Sequence, residues 1–152
     1  PNRRELIERT VGLLRASPRP SLALGVIDLD QFKRINDEYG HLAGDAVLRD
    51  FADTAGSQMQ RLACVGRWGG EEFLVLLPDA DAQAAQGWAD ELLARVRSRR
   101  VRTGNGVVSY RISIGLALAT DSDDMDALVA RADAALYAAK SGGRDRVVLA
   151  AS

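Results

Sequence analysis

Four carboxylates stand at two places where the sequence pattern changes. Asp28 and Asp30 lie where an apolar run ends, and Glu71 and Glu72 follow directly on Gly69-Gly70. Carboxylate oxygens are hard ligands, suited to Mg²⁺ or Mn²⁺ held together with substrate phosphates. If the two segments lie side by side, both acidic pairs converge on one metal cluster. Such a cluster lowers the pKa of an attacking hydroxyl and stabilises charge on a leaving group. Spacing alone leaves a second reading open, in which these are solvated acids at strand ends and turns. With no Cβ at Gly69 and Gly70, a bulky flat ligand can approach the backbone. A plain hairpin turn accounts for the glycines equally well, but not for two glutamates placed immediately after them.

Phe32-Lys33-Arg34-Ile35-Asn36-Asp37 follows the first acidic pair. A helix start presents free N–H groups that attract phosphate, and Lys33 adds a point charge. Asn36 offers a donor and an acceptor, enough to read a purine edge, and Asp45 can accept from a guanine N1–H and N2–H₂. Asn36 as a helix-end residue and Asp45 as a helix N-cap stand beside these readings as alternatives.

The elements that must position these residues follow from hydrophobic periodicity. Residues 3–16 place Leu6, Ile7, Leu13 and Leu14 on a helical stripe that Pro18 and Pro20 stop. Ser21–Asp28 is an almost unbroken apolar run of strand length, as a central strand covered on both faces requires. Gln31–Glu38 reads as a short helix ending near Gly40, and Asp45 as the cap of a second helix running to about Gln60. Val47, Leu48, Phe51, Ala52 and Ala55 would face inward from it. Ala63–Trp68 and Glu71–Leu77 are strand-like runs joined by Gly69-Gly70, a hairpin signal in which both glycines would take positive φ. Residues 81–99 form an amphipathic helix, Val107–Ala119 contains a strand, Asp126–Lys140 is a helix, and Arg146–Leu149 is a last short strand. The order predicts an α+β fold with a central, mostly antiparallel sheet and helices packed around it.

The composition excludes several classes. The chain has 152 residues, 47% of them hydrophobic, which is enough for one domain with a core. Its 20 basic and 21 acidic residues nearly cancel, arguing against a domain that wraps nucleic acid. One cysteine excludes a disulfide framework and a thiolate zinc site. No apolar run approaches the ~18–20 residues of a membrane span and no signal-peptide pattern opens the chain, so the expectation is a cytoplasmic segment making no membrane contact. The 20 basic residues comprise 18 arginines and only two lysines, Lys33 and Lys140.

Four segments in order carry a resemblance. Asp28-Leu-Asp30-Gln-Phe32-Lys33-Arg-Ile-Asn36-Asp37-Glu-Tyr-Gly40-His41-Leu-Ala-Gly44-Asp45 is followed by Arg67-Trp-Gly69-Gly70-Glu71-Glu72-Phe73. Ser113-Ile-Gly115 comes next, and then Asp133-Ala-Ala-Leu-Tyr137-Ala-Ala-Lys140-Ser-Gly-Gly143-Arg144. Together they resemble the GGDEF domain of diguanylate cyclases, in the GGEEF variant, over residues 1–149. Pro1-Asn2-Arg3-Arg4 is similar to the segment that leads into that domain. The resemblance therefore implies one GGDEF domain over 1–152, cut from the C-terminal part of a longer signalling protein.

The resemblance implies a fold like that of adenylyl cyclase and polymerase palm domains, a ferredoxin-like sandwich. It implies condensation of two GTP into cyclic di-GMP and two pyrophosphates. By motif position, Asp28 and Glu71 would bind two Mg²⁺ or Mn²⁺ ions, assisted by the Leu29 carbonyl and Glu72, and Glu71 would help deprotonate the ribose 3′-hydroxyl. Asn36 and Asp45 match guanine-binding positions. Lys33, Lys140 and Arg144 match those contacting the triphosphate, amides near Phe32 and Lys33 would cradle its far end, and Gly69 and Gly70 would admit the nucleotide. Asp30 belongs to the pattern but is not expected to ligate directly. A second copy of the domain would supply the other half-site.

One segment departs from the family. Many members carry an Arg-x-x-Asp inhibitory motif ending five residues before the Gly-Gly, where the product binds. Here that stretch is Gln60-Arg61-Leu62-Ala63, lacking both side chains, so no product inhibition through it is expected. The cluster Arg95, Arg97, Arg99, Arg100 and Arg102 reads as favourable charge at a helix C-terminus. His41 reads as loop structure or a site-edge contact, Cys64 as a small buried apolar residue, and Trp68 as packing under the hairpin. A regulatory module that binds GTP or cyclic di-GMP without turnover is the alternative function, although such members usually lose the acidic signature. A polymerase-like or other nucleotide cyclase is a third, disfavoured by the guanine-type pair Asn36 and Asp45. In a chain that writes nearly every basic position as arginine, both lysines fall where the family uses lysine for phosphates.

Overall fold

The structure, a computed structural model, describes residues 1–59 and 63–151. Leu22–Leu29 (β1) lies at its centre, and all eight residues are buried. A strand without a polar face cannot turn one side to water, so helices must cover it front and back. Seven strands and five helices among the described residues meet that requirement. The helices are Arg3–Arg15 (α1), Phe32–Tyr39 (α2), His41–Ser57 (α3), Ala82–Arg97 (α4) and Met125–Ser141 (α5). The other strands are Cys64–Arg67 (β2), Glu72–Pro78 (β3), Val101–Thr103 (β4), Gly106–Val108 (β5), Ile112–Leu118 (β6) and Val147–Leu149 (β7).

The main sheet has the order β2-β3-β1-β6-β7. β1 pairs antiparallel with both β3 and β6, and β2 with β3, whereas β7 runs parallel to β6. Strand alternation divides the core in two. Leu22, Leu24 and Val26 join Leu74 and Leu76 beneath α1 and α5, meeting Leu6, Leu14, Leu128, Ala132 and Leu136. Ala23, Ile27 and Leu29 join Phe73, Val75 and Leu77 on the opposite face, against Phe51 of α3 and Leu92 of α4. A fully buried leucine such as Leu24 contributes roughly 2 kcal/mol by transfer; truncation to alanine leaves a cavity and costs about 2–5 kcal/mol.

Gly115 lets α5 lie directly on the sheet. A Cβ there would overlap the backbone of Ala132 and Leu136, so a side chain at this position pushes the helix outward. α5 itself starts at Asp124, whose carboxylate accepts the Ala127 N–H at 2.8 Å. α1 starts likewise at Asn2, which accepts from Glu5 N at 2.9 Å.

The architecture is the expected α+β, mostly antiparallel one, and three local expectations are corrected. Asp45 caps nothing: α3 begins at His41 with Gly40 as its N-cap, so His41 is the first helical residue and Asp45 lies exposed within the helix. Ala52 is exposed and Thr54 takes the inward position, because residues 47, 48, 51, 54 and 55 complete the stripe and 52 lies off it. Gly69 and Gly70 do not form a primed two-residue turn, and neither has positive φ. Pairing stops at Arg67↔Phe73, and Glu72 O then accepts from both Trp68 N (2.8 Å) and Gly69 N (3.3 Å), giving a wider turn over 69–71. The strand expected within Val107–Ala119 is β6, around Gly115, and β5 folds back on β4 as a separate hairpin before it begins.

Trp68 is half-buried against the α1 side of the core, with the Arg3 guanidinium 4.0 Å from its ring centre. Cys64 is buried, as expected. The stretch Gln60-Arg61-Leu62, on which the absent inhibitory motif was read, lies outside the described residues.

Candidate active site

Antiparallel register sets Asp28 of β1 opposite Glu72 of β3 and Ser113 of β6. Cross-strand partners share a face, as do residues two apart, so Asp28, Asp30, Glu72 and Ser113 all lie on the α5 side of the sheet. Just beyond the pairing, Leu29 N–H donates to Glu71 O at 3.2 Å, which brings Glu71 to the end of β1. Lys140, in the last turn of α5, reaches the same point and ion-pairs with Asp28 Oδ2. Asp28 Oδ1 is buried and has no hydrogen-bond partner.

The electrostatics follow from this crowding. Burial pushes the Asp28 carboxyl above its ordinary value; Lys140 opposes the shift, and Glu71 and Asp30 add to it. Glu72 is also raised, first by burial and then by the charges of Asp28 and Asp133, with Lys140 again opposing. Asp133, two turns before Lys140 on α5, is raised by burial. Carboxyls that resist ionising together are stabilised as anions by a cation.

Asp30, not expected to ligate directly, is engaged elsewhere, so the two acidic pairs do not converge in full. Its Oδ1 accepts from Ser113 Oγ at 2.6 Å and its Oδ2 from Asp145 N–H at 3.0 Å, so both oxygens are committed to the protein. Among the described residues, no three His, Cys, Asp or Glu side chains are arranged to hold a metal ion. The Lys140 ammonium supplies the positive charge beside Asp28 instead. The oxygen donors still suit a hard divalent cation, because Asp28 Oδ1 is an orphaned buried acceptor next to Glu71, Glu72 and the Leu29 backbone.

The chain leaves β1 for α2 through Gln31, a non-glycine residue with φ of 53°. Arg34 N and Ile35 N donate to Gln31 O, so the amides of Phe32 and Lys33 precede the first intrahelical bond. The Lys33 side chain is exposed. Asn36, on α2, turns its side chain toward α3, and Gly44 makes the room: a Cβ there would overlap Asn36 Oδ1 and come within 3.1 Å of the Phe32 ring. Asp45 is the next residue, so Asn36 and Asp45 are brought to neighbouring positions at the α2–α3 contact. Gly69 and Gly70 are exposed, and a Cβ on either would meet nothing within 4 Å. Arg144 is exposed in the loop after α5, its amide donating to Ala139 O at 3.0 Å.

A cleft of about 410 Å³ lies along the Arg34 and Ile35 face of α2, bounded by Tyr110, Arg111 and Arg144. It shares Asp30 and Arg144 with the neighbourhood of the carboxylate site but includes neither Asp28 nor either glutamate. The cleft and the carboxylates are therefore adjacent, separate features. Sequence reasoning assigned no role to Asp133, Ser113 or Asp145. The seven-residue spacing of Asp133 and Lys140 on one helix face was a usable signal for the first; for the other two no local pattern exists.

A sheet whose central strand ends in a buried aspartate, opposite a glutamate pair and under a helix that delivers a lysine, is the palm-like α+β sandwich of nucleotidyl cyclases. The family model described as diguanylate cyclase, GGDEF domain, matches residues 1–146, and the chain belongs to the GGDEF family. It is 38% identical over 152 residues to diguanylate cyclase DgcP of Pseudomonas aeruginosa, an alignment covering 99% of this chain and 23% of that protein. The GGDEF domain of DgcB from Caulobacter crescentus, solved in complex with c-di-GMP, superposes with a TM-score of 0.94 at 32% identity, covering 99% of this chain and 91% of that one. The active GGEEF domain of a diguanylate cyclase from Vibrio cholerae superposes with a TM-score of 0.90 at 32% identity, covering 99% and 97% of the two chains. Among the described residues no helix is long and apolar enough to cross a membrane.

Proposed function

We propose that this domain condenses two GTP molecules into cyclic di-GMP and two pyrophosphates, in the cytoplasm, when two copies meet with their sites apposed. The observation that carries this reading is the meeting of Asp28, Glu71 and Glu72 with Lys140 at one sheet end, two of the carboxyls being held above their ordinary values. The chemistry matches the relatives named above, of whose lengths the chain spans a minor part in the case of DgcP (23%).

In each half-site Asn36 and Asp45 would hold the guanine, while Lys33, Lys140, Arg144 and the amides of Phe32 and Lys33 would hold the triphosphate. Asp28, Glu71, Glu72 and the Leu29 carbonyl would hold Mg²⁺ or Mn²⁺, proposed as two ions per half-site, supplying Lewis-acid stabilisation of phosphoryl charge. Glu71 helps take the proton from the ribose 3′-hydroxyl. The 3′-oxygen then bonds to the α-phosphorus of the facing GTP, the bond to the β-phosphate bridge breaks, and pyrophosphate leaves. The same exchange in the opposite direction closes the ring. One domain holds one GTP, so apposition supplies much of the rate, and whatever brings two domains together controls output.

The test is incubation of the domain, fused to a constitutive dimeriser, with GTP and Mg²⁺, and identification of products by mass. Cyclic di-GMP formed by the wild type and absent from Glu71→Gln supports the reading. GTP binding with no product would establish the non-catalytic regulatory role instead. Unfused domain should be severalfold slower. Because residues 60–63 lack the inhibitory pair, added cyclic di-GMP should not slow turnover through that segment; strong inhibition lost on Arg61→Ala would contradict this.

A further inference from the structure

The loop that carries Arg144 adopts an unusual backbone. Gly143, Arg144 and Asp145 have φ of 122°, 65° and 50° in succession, and two of the three are not glycine. Such a run persists only where surrounding contacts over-determine it. Those contacts converge on Asp145 from two directions. Its amide donates to Asp30 Oδ2 at 3.0 Å, and Asp30 is itself fixed by Ser113 Oγ at 2.6 Å. From the end of α4, Arg97 grips the same residue twice, Nε to Oδ1 and Nη2 to the carbonyl oxygen, both at 3.0 Å. Arg111 adds a looser ion pair at 3.8 Å.

Asp30 follows Asp28 and Leu29 at the end of β1, whereas Arg97 lies outside every segment used to recognise the family. Asp145 therefore ties the end of α4 to the strand end that carries the carboxylate site, with Arg144 held between Gly143 and the tie. We infer that Arg97 and Asp30, acting through Asp145, are positioning residues that hold Arg144 in register for the triphosphate. The inference rests on the proposed role of Arg144. Arg97 touches no substrate; its rigid guanidinium fork reaches one carboxylate oxygen and one carbonyl oxygen from two separate nitrogens, a geometry lysine's single nitrogen does not reproduce.

Asp30→Asn is the obvious variant, but the residue is buried and its amide can turn the Ser113 hydroxyl from donor to acceptor and keep the Asp145 N–H bond, so the change need not break the tie. Arg97, about half exposed, is the safer handle. The experiment is equilibrium binding of a non-hydrolysable GTP analogue to wild type, Arg97→Gln, Arg97→Lys, Arg144→Gln and the double variant Arg97→Gln/Arg144→Gln. Thermal unfolding and the KM-against-kcat split of the dimerised forms are measured in parallel. Arg97→Gln should weaken binding about three- to tenfold, through coupling of groups in one network, with KM raised more than kcat is lowered. Arg97→Lys should recover only part of the loss, and the double variant should bind no more weakly than Arg144→Gln alone. Losses that add in the double variant, or unchanged binding in Arg97→Gln while Arg144→Gln is impaired, would overturn the inference. Unchanged binding in Arg144→Gln, with GTP still bound, would overturn the role of Arg144 and the inference with it.

Discussion

Lys140, in the last turn of α5, places its ammonium on Asp28 Oδ2, while the other oxygen of the same carboxylate is buried and unpartnered. One aspartate thus has one satisfied and one orphaned acceptor, 112 residues away in sequence from the group that satisfies it. This pair offsets the charge of Asp28 alone among the neighbouring acids and leaves a free oxygen for a further cation.

Removing the ammonium should therefore cost stability as well as binding. Lys140→Met leaves Asp28 buried among acids. Its lysine side chain is 36% exposed, so the expected loss is about 1–2 kcal/mol, below the range for fully buried pairs. Urea denaturation of the metal-free domain checks it. Lys140→Arg keeps the charge but not the compact shape, and should retain stability while weakening GTP binding; unchanged affinity in both Lys140→Arg and Lys33→Arg would make the two lysines an accident of composition.

Stability should also depend on pH in a direction opposite to that of ordinary paired carboxylates. Asp28, Glu72 and Asp133 have ordinary values of 3.8, 4.5 and 3.8 and are all raised in the fold. Their protonated forms favour the folded state, so this contribution is complete below the ordinary values and is lost as pH rises through the raised ones. Asp123 acts the other way. Burial pushes it up, but Arg131 and Thr120 outweigh burial and hold it low, so its contribution is lost as pH falls below 3.8. The difference between wild type and Asp28→Asn across about pH 4–8, in metal-free buffer, isolates the site. The variant should gain relative stability as pH rises, and a flat difference would contradict the assignment.

Gly115→Ala should destabilise by about 1–3 kcal/mol or more, the range for overpacking a filled core. Its methyl group would meet the backbone of Ala132 and Leu136, which no rotamer change relieves. Displacing α5 also moves Lys140, so weakened GTP binding should accompany the lower melting temperature.

Gly44→Ala separates helix propensity from function. Alanine inside an exposed helix is favoured over glycine by about 1 kcal/mol, yet here the methyl group displaces Asn36 Oδ1. Discrimination between GTP and ATP should fall about tenfold, equivalent to about 1.4 kcal/mol, while the melting temperature changes little. Preserved discrimination would remove Asn36 from the guanine site.

Element types were legible wherever the pattern was long: the apolar run of β1, the stripes of α1, α4 and α5, and the strand preceding Gly69-Gly70. The exceptions have physical causes. Asp45 looked like a cap because aspartate usually is one there, but Gly40, with φ of 90°, turns the chain early enough for α3 to begin at His41. The glycines of the turn pointed to positive φ, yet the Glu72 carbonyl accepts two amides and sets a wider turn that does not need it.

Sequence by itself determined the family, the α+β order and the chemical types gathered for the site, because these depend on local residue identity and motif spacing. Only tertiary structure decided which acids meet. Asp28 and Asp30 are two residues apart on one strand face; the family motif favours Asp28 as the ligand, whereas residue type and spacing alone do not separate them. The register with β6 sets Ser113 opposite Asp28, yet its hydroxyl donates diagonally to Asp30, the loop after α5 gives Asp30 the Asp145 amide, and Lys140 and the glutamates are left to Asp28. Those partners come from β6, β3 and the end of α5, and their meeting is set by strand register and helix packing, which local sequence does not encode.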